Sequence, residues 1–124
     1  MAAKRLTPIF TENFAENLEA ILALLGEEGQ ASFDRLRDRL FADLAPTLCQ
    51  FPLSGRPVLG HDIRSLETRT AARPVRRLLR PGDDLREFIL DDYLLLYVVR
   101  RTEVIFLSIK HHRQLSLDLH RFWA

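Results

Sequence analysis

The period of the hydrophobic pattern changes partway along this sequence, and that change limits the fold more than any other feature. Between Thr11 and Leu44 apolar residues recur at three- and four-residue steps: Phe14, Leu18, Ile21, Leu22 and Leu25, then Phe33, Leu36, Leu40 and Leu44. That spacing gives each segment one apolar stripe, as an amphipathic helix requires. From Leu85 onward, three runs rich in Val, Ile, Phe and Tyr are separated only by Asp91-Asp92 and by Arg101-Thr102. Connections this short leave no room for a crossover, so the runs Leu85–Leu90, Tyr93–Arg100 and Glu103–Lys110 pair as antiparallel hairpins. With 124 residues, 47% of them hydrophobic, the chain has the size of one domain, 1–124, with a core that needs no disulfide or metal. The expected fold class is α+β: an N-terminal short strand and a helical hairpin packed on an antiparallel sheet.

Local signals sharpen the elements. Thr11 is placed to cap the first helix, with Glu12 and Glu16 near its positive end, and Gly26 stops it. Ser32 is a candidate cap for the second helix, and Pro46 predicts its end near Ala45. Leu6–Phe10 reads as a short strand that Pro8 confines to an edge. In the last strand Val104, Phe106 and Ser108 alternate with Ile105, Leu107 and Ile109; the expectation is that the helices cover one face and leave a half-apolar face open. Tyr93 and Tyr97, four apart, share a strand face and read as core.

Charge is distributed unevenly. Residues 1–50 carry a net −3 and residues 51–124 a net +4, within a total of +1. A positive surface, if present, belongs to the second half, where Arg73, Arg76, Arg77 and Arg80 make the most basic run. That run has no interleaved aromatics for stacking bases and suits phosphates, or an acidic peptide docked on it, or plain solvent. Cys49 is the single cysteine, which excludes an intramolecular disulfide and a cysteine-based zinc site. No apolar run approaches the length of a membrane span, and the N-terminal residues lack a signal-peptide core, so a soluble cytoplasmic protein without membrane contact is expected.

The densest polar cluster is Lys110-His111-His112-Arg113-Gln114, directly after the last strand. A histidine of near-neutral pKa beside cations is suited to proton transfer at an RNA 2′-OH, with the cations stabilising the charge that develops on phosphate. The same residues also fit a solvated strand end. Metal binding is not expected, because adjacent strand residues point to opposite faces and no carboxylate stands at ligand spacing. Ser54 and Ser65 lie in no nucleophile turn, and Gly55 and Gly60 form no phosphate loop.

The order strand, helical hairpin, three strands resembles the RelE/ParE superfamily of type II toxins. Phe51-Pro52-Leu53-Ser54-Gly55-Arg56-Pro57 is similar to that family's FP-x-x-GRP link, Arg86-Glu87-Phe88 and Tyr93 to Tyr97 to its R-E-x and Y-R-x-x-Y strands, and the strand ending His111-His112-Arg113 to its terminal H-x-R. The resemblance implies a chromosomal or plasmid-borne toxin neutralised by a cognate antitoxin, working without cofactor or metal. It implies ParE-like inhibition of DNA gyrase by binding, RelE-like cleavage of mRNA on the ribosome, or an inactive relative retained for antitoxin binding or repression. Leu94 stands where the family often has an arginine, and the tail Arg121-Phe122-Trp123-Ala124 has no tyrosine, which puts gyrase inhibition first. For the nuclease the resemblance leaves His111 or His112 as proton-transfer groups, Arg86, Lys110 and Arg113 on the scissile phosphate, and Arg56 beside them.

Overall fold

A computed structural model describes residues 5–58 and 79–114; Arg73, Arg76, Arg77 and the tail Arg121–Ala124 lie outside them. The chain runs β1 (Thr7–Phe10), α1 (Glu12–Leu25), α2 (Gln30–Asp38), α3 (Ala45–Gln50), β2 (Arg56–Pro57), β3 (Asp84–Leu90), β4 (Tyr93–Arg100) and β5 (Glu103–His111). The sheet order is β1-β5-β4-β3-β2. β3 through β5 pair antiparallel as expected, β2, read from sequence as part of a link, adds antiparallel to β3, and β1 joins at the other edge, parallel to β5, with Phe10 opposite Phe106. The fold is therefore α+β with a mixed five-stranded sheet.

α1 begins as its sequence suggests, with the Thr11 hydroxyl accepting from the Phe14 N–H at 3.1 Å. It ends at Gly26, whose positive φ of 70° suits a residue without Cβ and whose N–H bonds Leu22 O. The second helix departs from expectation at both ends. It starts at Gln30, behind Gly29, and Ser32 lies within its first turn, accepting from Arg35 at 3.1 Å. Nor does Pro46 end it. Residues Arg39–Leu44 widen into a π-helical turn in which the Ala45 N–H reaches back five residues to Leu40 O. That extra residue seats Pro46 in the first turn of α3, where a missing N–H costs nothing. Thr47 then donates its hydroxyl to Asp43 O at 2.7 Å. The helical rod thus continues to Gln50 and delivers Leu40, Leu44, Leu48 and Cys49 to the core.

Beyond Phe10 no strand among the described residues lies beside the outer edge of β5, and Thr11 and α1 meet it with polar side chains. Thr11 and Asn13 donate to Leu107 O at 3.2 and 2.8 Å, and Asn17 Oδ1 accepts from the Ile109 N–H at 3.1 Å. This accounts for a buried asparagine on an otherwise apolar helix face. The register slips by one residue here, with Leu96 opposite Ser108 and Tyr97 opposite Phe106, so Leu107 is a bulge.

The core under the helices joins Phe14, Ile21, Leu36 and Leu48 to Leu95, Tyr97, Phe106 and Ile109. The opposite face, expected to be open, is closed around Leu96 and Val98 and exposed at Ile89. Leu96 and Val98 are 0% and 1% exposed there, in a cluster with Leu85, Ile105 and Leu107 that Val58 and Leu79 adjoin. Strands apolar on both faces are buried on both faces. No helix among the described residues is long and apolar enough to cross a membrane.

Candidate functional site

The segment 51–57 is fastened to the sheet by side chains of β3 and β4. Tyr97, fully buried, donates its hydroxyl to Pro52 O at 2.8 Å and accepts from the Gly55 N–H at 2.8 Å. Gly55 is required by close approach: a Cβ there would clash with Tyr97 Oη and the Glu87 carbonyl. Arg86 adds a second attachment, donating Nη1 to Leu53 O at 3.2 Å and to Gly55 O at 2.7 Å while Nε binds Asp84 at 2.9 Å. Arg56 is ion-paired with the buried Glu87 carboxylate. Burial raises the Tyr97 hydroxyl pKa, opposed by its hydrogen bond to the Gly55 backbone, so this group stays a neutral donor. Two arginines expected to meet phosphate therefore hold protein atoms instead.

The other expected site residues are spread out. The alternation along β3 and β5 puts Arg86 and His111 on the helix-covered face, in line with Phe88, Leu90 and Ile109. Lys110, paired with Leu94, is on the other face. Lys110 also lies opposite the level of Ile89, whereas Arg86 is level with Phe106. The separation is about 10 Å along the strands and about 10 Å across them.

His111 is buried against Tyr93, ring edge to ring face at a centroid distance of 5.0 Å. Its Nδ1 accepts from the Arg113 N–H at 3.0 Å, and its own N–H bonds Gln114. Burial lowers its pKa, with Asp92 opposing and with His112 and Arg113 adding to the lowering. The His112 ring is 5.6 Å from that of His111, and its backbone N–H bonds Asp92 O at 2.8 Å. Of the five residues Arg86, Lys110, His111, His112 and Arg113, only the last three form a neighbourhood. Arg80 is exposed and lines a recess of about 670 Å³ with Arg100 and Arg101; its backbone N–H bonds Asp83.

Sequence reasoning misses the best-formed ion pair, Asp83 with Arg100. Two bonds of 2.8 and 2.6 Å join them, and the arginine holds the Asp83 pKa at about 2. The strand register supplies the signal, since Asp84 lies opposite Val99 and brings the preceding and following residues together. Arg39, ion-paired with Asp91 across the helix and the β3–β4 turn, carries no mark in the sequence either. Among the described residues no group of three His, Cys, Asp or Glu side chains could hold a metal ion.

Comparison with known proteins places these features in context. A family model described as the ParE toxin of the type II toxin-antitoxin system parDE matches residues 9–116. Among solved structures, the toxin-antitoxin complex RelBE2 from Mycobacterium tuberculosis is similar at 17% identity, covering 86% of this chain and 91% of that chain with a TM-score of 0.46. No curated protein sequence matches.

Proposed function

The chain belongs to the ParE toxin family of type II toxin-antitoxin systems, and from that premise we propose that it arrests growth by binding its target rather than by cutting RNA. DNA gyrase is the target that the family resemblance implies, and a cognate antitoxin is the partner that neutralises the toxin. The observation carrying this reading is the dispersal of the nuclease set. Lys110 and Arg86 are on opposite faces, and Arg86 is committed to Asp84 and two carbonyls. Metal-free phosphodiester cleavage needs its cations and proton-transfer group around one phosphate. A binding mechanism needs no such convergence. The test is to induce the chain in cells, score growth arrest, and measure supercoiling by purified gyrase with the toxin added, beside mapping of cut transcripts. Loss of supercoiling with intact transcripts is expected; cleaved transcripts with normal supercoiling would replace this reading with the endoribonuclease.

A further inference from the structure

One recess stands apart from the contacts that fasten the 51–57 segment. It opens between the α1–α2 hairpin and the β3–β4 turn, has a volume of about 480 Å³, and is lined by Arg35, Arg39, Asp91, Asp92, Tyr93 and His111, with Ser32 at the helical rim. Hydrogen-bond donors outnumber acceptors there. Because His111 Nδ1 accepts from the Arg113 N–H, the neutral ring carries its proton on Nε2, and Nε2 meets no acceptor among the described residues. The Tyr93 hydroxyl likewise has no acceptor among them, and Arg35 gives one of its five N–H groups to Ser32. Arg39 and Asp91 neutralise each other. Arg35 and Asp92 then leave the recess close to electrically neutral while His111 is uncharged.

That balance selects the ligand. Asp92 and Asp91 both act on the Tyr93 hydroxyl, and with no excess of positive charge to offset them a dianionic phosphate meets twice the repulsion that a singly charged group does. A carboxylate carries a single charge and two oxygens that match the guanidinium fork. We propose that this recess binds a single peptide carboxylate, with Arg35 gripping the group while Tyr93 O–H and His111 Nε2–H donate to its oxygens. Binding does not depend on what the toxin inhibits, so the inference can fail while the toxin reading stands.

The test follows the His111 ring by NMR in the full-length protein. Two probes separate the possible sources of the group: N-acetylglutamate α-methylamide for an acidic side chain, and N-acetylalanine for the carboxylate that ends a polypeptide. At least one is expected to shift the His111 and Tyr93 ring signals in a saturable way and to raise the His111 pKa, because a carboxylate on Nε2–H favours the charged ring. Arg35 is exposed, so its truncation should leave the fold intact, and Arg35→Ala should weaken binding about tenfold and Tyr93→Phe about fivefold. Arg37→Ala, on the same helix but outside the recess, should leave binding unchanged. The proposal is overturned if neither probe perturbs His111, if Arg35→Ala binds like the parent, or if inorganic phosphate or the neutral glutamine analogue binds as tightly.

Discussion

Replacing Tyr97 by Phe removes one oxygen from the interior, and the surroundings of that oxygen set the cost. The hydroxyl answers two backbone groups, the Pro52 carbonyl and the Gly55 N–H, each at 2.8 Å, and the side chain is 0% exposed. The phenyl ring keeps the apolar contacts with Phe106 and the core, so packing loss is small. What remains is an unsatisfied buried donor at about 1–3 kcal/mol and a Pro52 carbonyl without its hydroxyl partner, since Arg86 bonds the carbonyls of Leu53 and Gly55 instead. A loss of about 2–3 kcal/mol is expected, a large share of the stability of a domain this size. Urea unfolding at pH 7 measures it, and hydrogen exchange at Gly55 should accelerate by the matching factor because that amide loses its acceptor. Arg86→Met in the same background supplies a cycle: the two side chains hold one segment from two sides, so their effects should not add. A Tyr97→Phe cost below about 0.5 kcal/mol, the level of an ordinary surface change, would mean that the 51–57 segment is not held by this hydroxyl.

Gly55→Ala should destabilise by about 2 kcal/mol or more, since the methyl would displace either the Tyr97 hydroxyl or the Glu87 backbone; thermal unfolding reads it directly. Asn17→Ala, which frees the Ile109 N–H inside the core, should cost about 1–3 kcal/mol in the same assay. The Asp83 carboxyl, held at about 2 against an ordinary 3.8, contributes stability above the unfolded value that disappears as pH falls from about 4 to about 2. Full linkage would give about 2.5 kcal/mol, and screening by water around the arginine reduces this to about 1 kcal/mol; Asp83→Asn should remove the difference between pH 6 and pH 2 from that source. His111 titrates below its ordinary 6.5, so the unfolded chain takes up its proton first. Stability is complete above that value and declines as pH drops toward the native pKa, and His111→Gln should flatten this portion of the pH profile.

How much of this was legible follows from which interactions are local. The Thr11 cap, the Gly26 stop and the three hairpin strands depend on residues a few positions apart, and the sequence pattern reports them. Pro46 misleads because its usual effect assumes α-helical spacing, and one extra residue in the Arg39–Leu44 turn removes the conflict. The covered second face was readable in principle: Leu94, Leu96 and Val98 alternate with Leu95, Tyr97 and Val99, so neither face of β4 is polar. The partners of individual arginines were not readable. Arg56 and Arg100 are paired with carboxylates 31 and 17 residues away, and the carbonyls that Arg86 holds lie 31 and 33 residues away; a charge in a sequence carries no mark of such distant partners.

That ambiguity bears on what the family motif means. The link Phe51–Pro57, the Arg86-Glu87 pair and Tyr97, on which the sequence resemblance rests, act on one another in the structure: tyrosine hydroxyl to glycine N–H, arginine to two carbonyls of the link, buried glutamate to Arg56. For Arg86 to serve a phosphate it would have to leave Asp84, Leu53 and Gly55, and charged hydrogen bonds of this kind contribute about 1.5–3 kcal/mol each. Their loss would loosen the link that Tyr97 also holds. In this chain these residues are therefore committed to joining the helical rod to the sheet. What these contacts leave facing solvent are the side chains of Phe51 and Leu53 within the link and Ile89 on β3, together with the His111 recess.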